Sequence, residues 1–213
     1  MKPAGREGSD TDMLDSLALF PLSTVLFPGG VLPLRIFEAR YTDMVRECMR
    51  LQRPFGVCLI TRGGEVGEAA EHEPIGCLAE IQDVDMEQPG VLRIRTLGTR
   101  RFRVEASEAE VNRLMRGQVS LLPDDPMMAV PDEHADCVGL VRRMVQEIER
   151  TEPDANQRMI TGPLQYESAG WVANRIAEFL PIPGASKSRL MSMDDPVDRL
   201  AVVHRWLIQQ GVL

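Results

Sequence analysis

Three prolines and a glycine pair interrupt the most apolar stretch of the chain, residues 17–41 (LALFPLSTVLFPGGVLPLRIFEARY), and they restrict what that stretch can become. Proline fixes φ near the extended value and pushes its predecessor out of the helical region. Pro21, Pro28 and Pro33 therefore exclude a bilayer-spanning apolar helix here, which needs about 20 uninterrupted residues. They predict two short strands instead, at residues 20–22 and 32–37. Phe27-Pro28-Gly29-Gly30 forms a turn between them, because glycine reaches positive φ without a steric penalty. A helix is expected from about Glu38.

The rest of the chain can be read from its apolar period. Tyr41, Met44, Val45, Cys48 and Met49 mark one face of a helix that ends before Pro54. Residues 55–61 are almost wholly apolar and read as a strand buried on both faces. Residues 62–74, rich in glycine and glutamate, read as a loop. Alternation then begins at Ile75, Cys77, Ala79 and Ile81, turns at Pro89-Gly90, and continues through Leu92, Ile94 and Thr96 to Arg101-Phe102-Arg103-Val104. This is a β-meander with one wet face, and a further strand is expected over residues 117–122.

Residues 123–131 hold three prolines in PDDPMMAVP, and the apolar period changes across them. A linker is expected there, dividing a β-rich lobe at 16–122 from a helical lobe at 132–213. Helices are expected around residues 137–148, 172–180 and 187–191. A last one begins at Asp194 or Asp195, where an aspartate N-cap precedes Pro196 at the first helical position. The fold class is thus α+β. Residues 1–15 are polar and acidic and are expected to form a disordered tail, with no basic region of the signal-peptide type.

At 213 residues the chain buries roughly 70% of its unfolded surface and needs no staple. Cys48, Cys58, Cys77 and Cys137 lack Cys-x-x-Cys spacing and sit in apolar segments, so they read as reduced core thiols of a cytoplasmic protein. The net charge of −8 offers no basic surface to nucleic acid or anionic lipid. The chain carries no phosphate-binding loop and no Gly-x-Gly-x-x-Gly after a strand, and no cofactor is expected. His72 has no second ligand at metal spacing and reads as a loop residue. His204 reads as a hydrogen-bonded core histidine. Lys187 in Ser186-Lys187-Ser188 would need burial to activate a serine, and its segment reads as solvated.

Two groups are candidate contact residues. Leu26, Phe27 and Pro28 are either core or an exposed apolar ridge that accepts unfolded polypeptide or a partner. Arg93, Arg95, Arg101 and Arg103 alternate on the meander, and form either a soluble outer face or an anion- or RNA-binding strip, although no aromatic is interleaved for base stacking.

The ordered motifs Leu19-Phe20-Pro21-Leu22, Val25-Leu26-Phe27-Pro28-Gly29, Leu32-Pro33-Leu34-Arg35-Ile36-Phe37-Glu38 with Arg40-Tyr41, Ile75-Gly76-Cys77-Leu78-Ala79-Glu80-Ile81, and Gly98-Thr99-Arg100-Arg101-Phe102 carry a resemblance. With the segments 171–180 and 190–207, they resemble the N-terminal substrate-binding domain of the ATP-dependent protease La, the Lon family. The resemblance implies a PUA-like β-rich lobe, a pseudo-barrel, followed by a helical lobe. It implies a non-catalytic recognition domain for polypeptide, since the ATPase and Ser-Lys proteolytic modules of the full-length protease have no counterpart in these residues.

Overall fold

Strand β5 organises the sheet because it is long enough to serve two neighbours in succession. The computed structural model describes residues 13–213. Its elements run β1 (Met13–Leu22), β2 (Val31–Ile36), α1 (Ala39–Leu51), β3 (Phe55–Arg62), β4 (Glu71–Gln88), β5 (Val91–Ala109), β6 (Met115–Leu121), α2 (Ala135–Thr151), α3 (Ala169–Phe179), α4 (Gly184–Met191) and α5 (Pro196–Gln209). The first half of β5 pairs with β2, from Leu97 opposite Val31 to Leu92 opposite Ile36. Its second half pairs with β6, from Phe102 opposite Leu121 to Ala109 opposite Met115. The strand order is β2-β5-β4-β3-β1-β6, and the β5–β6 pairing closes it into a pseudo-barrel with β2 as an outer flap.

Closure creates an inside and an outside, each with its own apolar cluster. Leu17, Leu19, Cys58, Leu78, Phe102 and Val119 fill the barrel. A larger cluster on the outer face joins Phe20, Phe55, Val57, Cys77 and Ile94 of the strands to Met44 and Val45 of α1, Val141 of α2, Ile176 of α3 and Leu200 of α5. Strand β3 contributes to both clusters, as its continuous apolar run predicts. Residues 122–131 contain only an isolated bridge, Ala129 to Ser168. The helices nevertheless share one continuous core with the strands, so the break in sequence pattern marks a change of secondary structure within one packed unit.

The helix ends follow the sequence. Asp195 caps α5 by accepting from the amides of Val197 and Asp198, and Ser168 caps α3 through the Trp171 amide. Helix α1 stops where Gln52 takes a left-handed conformation at its C-cap, just ahead of Pro54. It docks by stacking Tyr41 on Phe20, with ring centroids 3.9 Å apart.

Two segments expected to lie outside the sheet are partly strand. The tail expected over residues 1–15 lies outside the described residues for its first twelve positions, but Met13 and Leu14 belong to β1, opposite Ser120 and Val119. The loop expected over 62–74 ends early, because β4 starts at Glu71 and His72 pairs with Ile60. In both places polar residues occupy the exposed side of a strand whose pairing is decided by its partner.

Candidate functional site

The turn at Phe27 to Gly30 is folded inward. Gly29 has φ of 75° and donates its amide to the Gly98 carbonyl at 2.7 Å, while the Gly98 amide returns a bond to the Gly30 carbonyl at 2.8 Å. A Cβ at Gly98 would overlap the Phe27 carbonyl oxygen, so the backbones meet only because that position is glycine. Leu26 and Phe27 are 4% and 0% exposed. Of the two readings of Leu26, Phe27 and Pro28, core or exposed ridge, the ridge is therefore corrected: the first two are core, and the Pro28 carbonyl accepts from Arg175 at 2.7 Å. Helix α3 supplies that arginine and covers the turn.

Arg175 is one of three buried guanidinium groups, with Arg199 and Arg101, that fill the junction between sheet and helices. It also bonds the Gly29 carbonyl and pairs with Glu178 at 2.6 Å, while Lys187 donates to the Glu178 carbonyl at 2.6 Å. Lys187 is thus committed to a backbone oxygen and is not poised beside a serine. The second guanidinium, Arg199, takes Asp125 in a fork at 2.5 and 3.0 Å and reaches the Leu190 and Met193 carbonyls and the Asn174 side chain. The junction is therefore a polar staple, with its space already occupied.

Burial pushes the Glu178 carboxyl up to about 7 against the lowering pull of Arg175 and Lys187, and burial lowers Arg175 and Lys187 in turn. Between the ordinary value of 4.5 and about 7 the folded chain holds a proton that the unfolded chain has released. That contribution to stability is complete below 4.5 and is lost as pH rises through 7. Glu178→Gln removes the titration. Urea unfolding of the wild type, taken relative to Glu178→Gln, is expected to lose stability as pH rises through this window, by up to about 1.4 kcal/mol per pH unit. A difference that does not vary with pH would refute the assignment.

The arginine strip is also corrected. Arg101 is 4% exposed, with its guanidinium turned inward onto the carbonyls of Met191, Met193 and Pro123. It belongs to the same staple, because the α4–α5 connection covers this part of β5. Arg93 and Arg95 do share a face, but β4 sets Asp85 and Asp83 directly opposite them. Arg93 pairs with Asp85 at 3.2 Å, and Arg95 bonds the Arg158 carbonyl. Arg103 is exposed. Cross-strand carboxylates of this kind neutralise a basic face.

An open surface exists on the other side of β4. Pairing between β3 and β4 begins at Phe55 opposite Ala79, because Pro54 and α1 take the chain away upstream. Residues 80–88 of β4 therefore run past the end of β3 and pair with β5 alone. Beside this edge lies a groove of about 550 Å³, walled by Met49, Gln52, Arg53 and Pro54 on one side and by Glu80 to Val84 on the other. Met49 is 53% exposed, and Ile81 and Val84 are half-buried. An extended polypeptide can pair its backbone with such an edge and place alternate side chains in such a groove. Acidic residues along the edge, Asp83, Asp85 and Glu87, are the usual protection of an open strand against self-association. Sequence reasoning missed this site because the signal is an offset between two strand lengths, which no local pattern encodes.

The histidines separate into two environments. His72 lies on β4, with Nδ1 2.9 Å from the Glu73 carbonyl. His204 is hydrogen-bonded, as expected, but its partners come from far away in sequence: Nδ1 lies 2.9 Å from Nδ1 of His134, and Nε2 lies 2.9 Å from Oδ2 of Asp136. The adjacent Cys137 is wholly buried, and burial with the nearby Asp136 pushes its thiol up to about 12. Cys48 and Cys58 are raised by burial to about 11 and about 12, so these thiols are protonated near neutrality.

Among the described residues no helix is long and apolar enough to cross a membrane. A family model for the ATP-dependent protease La (LON) substrate-binding domain matches residues 16–209. Of curated proteins, the Lon protease of Cytophaga hutchinsonii is similar at 25% identity over 198 residues, covering 91% of this chain and 23% of that protein. Protein cereblon of Danio rerio is 28% identical over 134 residues, covering 59% of this chain and 31% of its own length. This chain spans less than half of the length of the curated relatives it matches. Of solved structures, a Lon N-terminal domain protein from Xanthomonas campestris superposes with a TM-score of 0.73 at 36% identity, covering 91% of this chain and 99% of that one. The N-terminal domain of a Mycobacterium avium complex Lon protease gives a TM-score of 0.59 at 18% identity over 90% of this chain and 97% of that one, and shares the fold.

Proposed function

Because the chain belongs to the LON substrate-binding domain family, we propose that it is a non-catalytic recognition domain for extended, apolar polypeptide segments, which bind in the groove between α1 and the open edge of β4. The observation that carries this reading is the run of residues 80–88 left without a β3 partner beside the exposed side chain of Met49. Backbone pairing at a strand edge is indifferent to sequence, which suits recognition of unfolded chains, and the groove adds a preference for apolar side chains. The RNA-binding alternative loses support from the inward turn of Arg101 and from the aspartates facing Arg93 and Arg95.

Titration of the purified chain with fluorescent apolar peptides is expected to give saturable binding. Met49→Asp places a charge in the groove at a position 53% exposed, so the fold should tolerate it. Affinity should fall about tenfold, equivalent to about 1.4 kcal/mol, with little change in the thermal midpoint. Equal affinity in Met49→Asp, or no binding by the wild type, would remove the groove from this account.

A further inference from the structure

We propose that Asp136, Cys137 and His204 form a site for one divalent transition-metal ion of the zinc class, with His134 as the outer partner that orients His204. The three donors come from the start of α2 and the middle of α5, and one ligand atom from each lies within 4.8 Å of the other two. Tetrahedral zinc, with bonds of about 2.0–2.3 Å, sets its ligand atoms roughly 3.3–3.8 Å apart, so side-chain shifts on the order of 1 Å close the site. The thiolate and imidazole donors select zinc or cobalt over magnesium or calcium.

The surroundings of His204 have the form that metal-binding histidines use. A ligating imidazole hands its other ring N–H to a neighbouring acceptor, which fixes tautomer and ring orientation. Here Nε2 faces the Asp136 carboxylate at 2.9 Å, and Nδ1 faces His134 Nδ1 at 2.9 Å. His134 Nε2 in turn lies 3.7 Å from Glu133 Oε1. With an ion on Nε2, His204 donates from Nδ1 to His134, and His134 carries its own proton on the nitrogen facing Glu133. Asp136 is positioned as well, since its Oδ1 accepts the Cys137 amide at 2.8 Å and leaves Oδ2 for the ion.

Burial gives the site a closed side and an open one. Cys137 is 0% exposed, whereas the Asp136 side chain is 47% exposed and that of His204 is 12% exposed. Three protein donors leave a fourth tetrahedral position toward solvent, the pattern of an exchangeable site. The ion takes the place of the Cys137 thiol proton, which is released on binding. This inference stands apart from the peptide groove, which uses none of these residues.

The test uses the untagged, metal-free full chain with zinc chloride in calorimetry and cobalt chloride in absorption. Expected are one ion per chain, a thiolate-to-cobalt charge-transfer band in the near ultraviolet, and visible bands of tetrahedral intensity. Asp136→Asn, at an exposed position, should weaken zinc binding by at least about tenfold, in line with the 10–100-fold losses seen even for outer partners. Cys137→Ser should abolish the charge-transfer band, and Cys48→Ser should leave it intact. His134→Gln should weaken binding while keeping the cobalt spectrum tetrahedral. Circular dichroism checks the fold of each variant, and Asp136→Asn with His204→Gln decides the outcome if Cys137→Ser does not fold. Absence of stoichiometric binding, a cobalt complex without the charge-transfer band, or affinity unchanged in Asp136→Asn and His204→Gln would overturn the site.

Discussion

Arg199→Met is expected to lower the stability of the fold by about 3–5 kcal/mol, the range for breaking a buried ion pair by removing one partner. Arg199 is 1% exposed and gathers the Asp125 carboxylate, the Asn174 side chain and the Leu190 and Met193 carbonyls around one guanidinium. Methionine fills much of the volume but satisfies none of these acceptors, and Asp125 keeps only the longer contact to Arg101, at 3.4 Å. Urea unfolding with a double-mutant cycle on Arg199 and Asp125 isolates the pair, and contacting charges of this kind couple by about 0.5–3 kcal/mol. A loss below about 0.5 kcal/mol for Arg199→Met would place it among ordinary surface substitutions and contradict its role as a staple.

Phe27→Ala should cost about as much, 3–5 kcal/mol, for a different reason. The ring is 0% exposed and belongs to the cluster shared by strands and helices. Deletion removes its transfer free energy and leaves a cavity that the Gly29–Gly98 backbone bonds prevent from collapsing, at about 3–5 kcal/mol for such truncations. Peptide affinity of the folded protein should be unchanged. Lost affinity at unchanged stability would restore Phe27 as a contact residue.

The sequence carried the elements that depend on local chemistry. Asp195-Pro196 announces the start of α5, the apolar run at 55–61 a strand that is buried on both faces over residues 55–59, and Pro28-Gly29-Gly30 a turn. Its limits are physical as well. Phe27 and Arg101 have residue types suited to either surface or core, and their fate is decided by α3 and by the α4–α5 connection, which arrive from more than 70 residues away. The open edge of β4 exists because β4 outruns β3, a relation between two elements. His134 and His204 meet across 70 residues with no spacing to reveal them. The family motifs were legible because they carry residues that set turns and core, among them Gly29, Gly98 and Phe27.

Chemical-shift mapping of the isotope-labelled chain during titration with a permanently unfolded polypeptide tests the recognition surface most directly. The account predicts saturable perturbations concentrated at Met49 to Pro54 and at Glu80 to Val84, the two walls of the groove, with the amides of β4 beyond Ala79 slowed in exchange as the edge is paired. Perturbations confined to other surfaces, or none at saturating polypeptide, would contradict it.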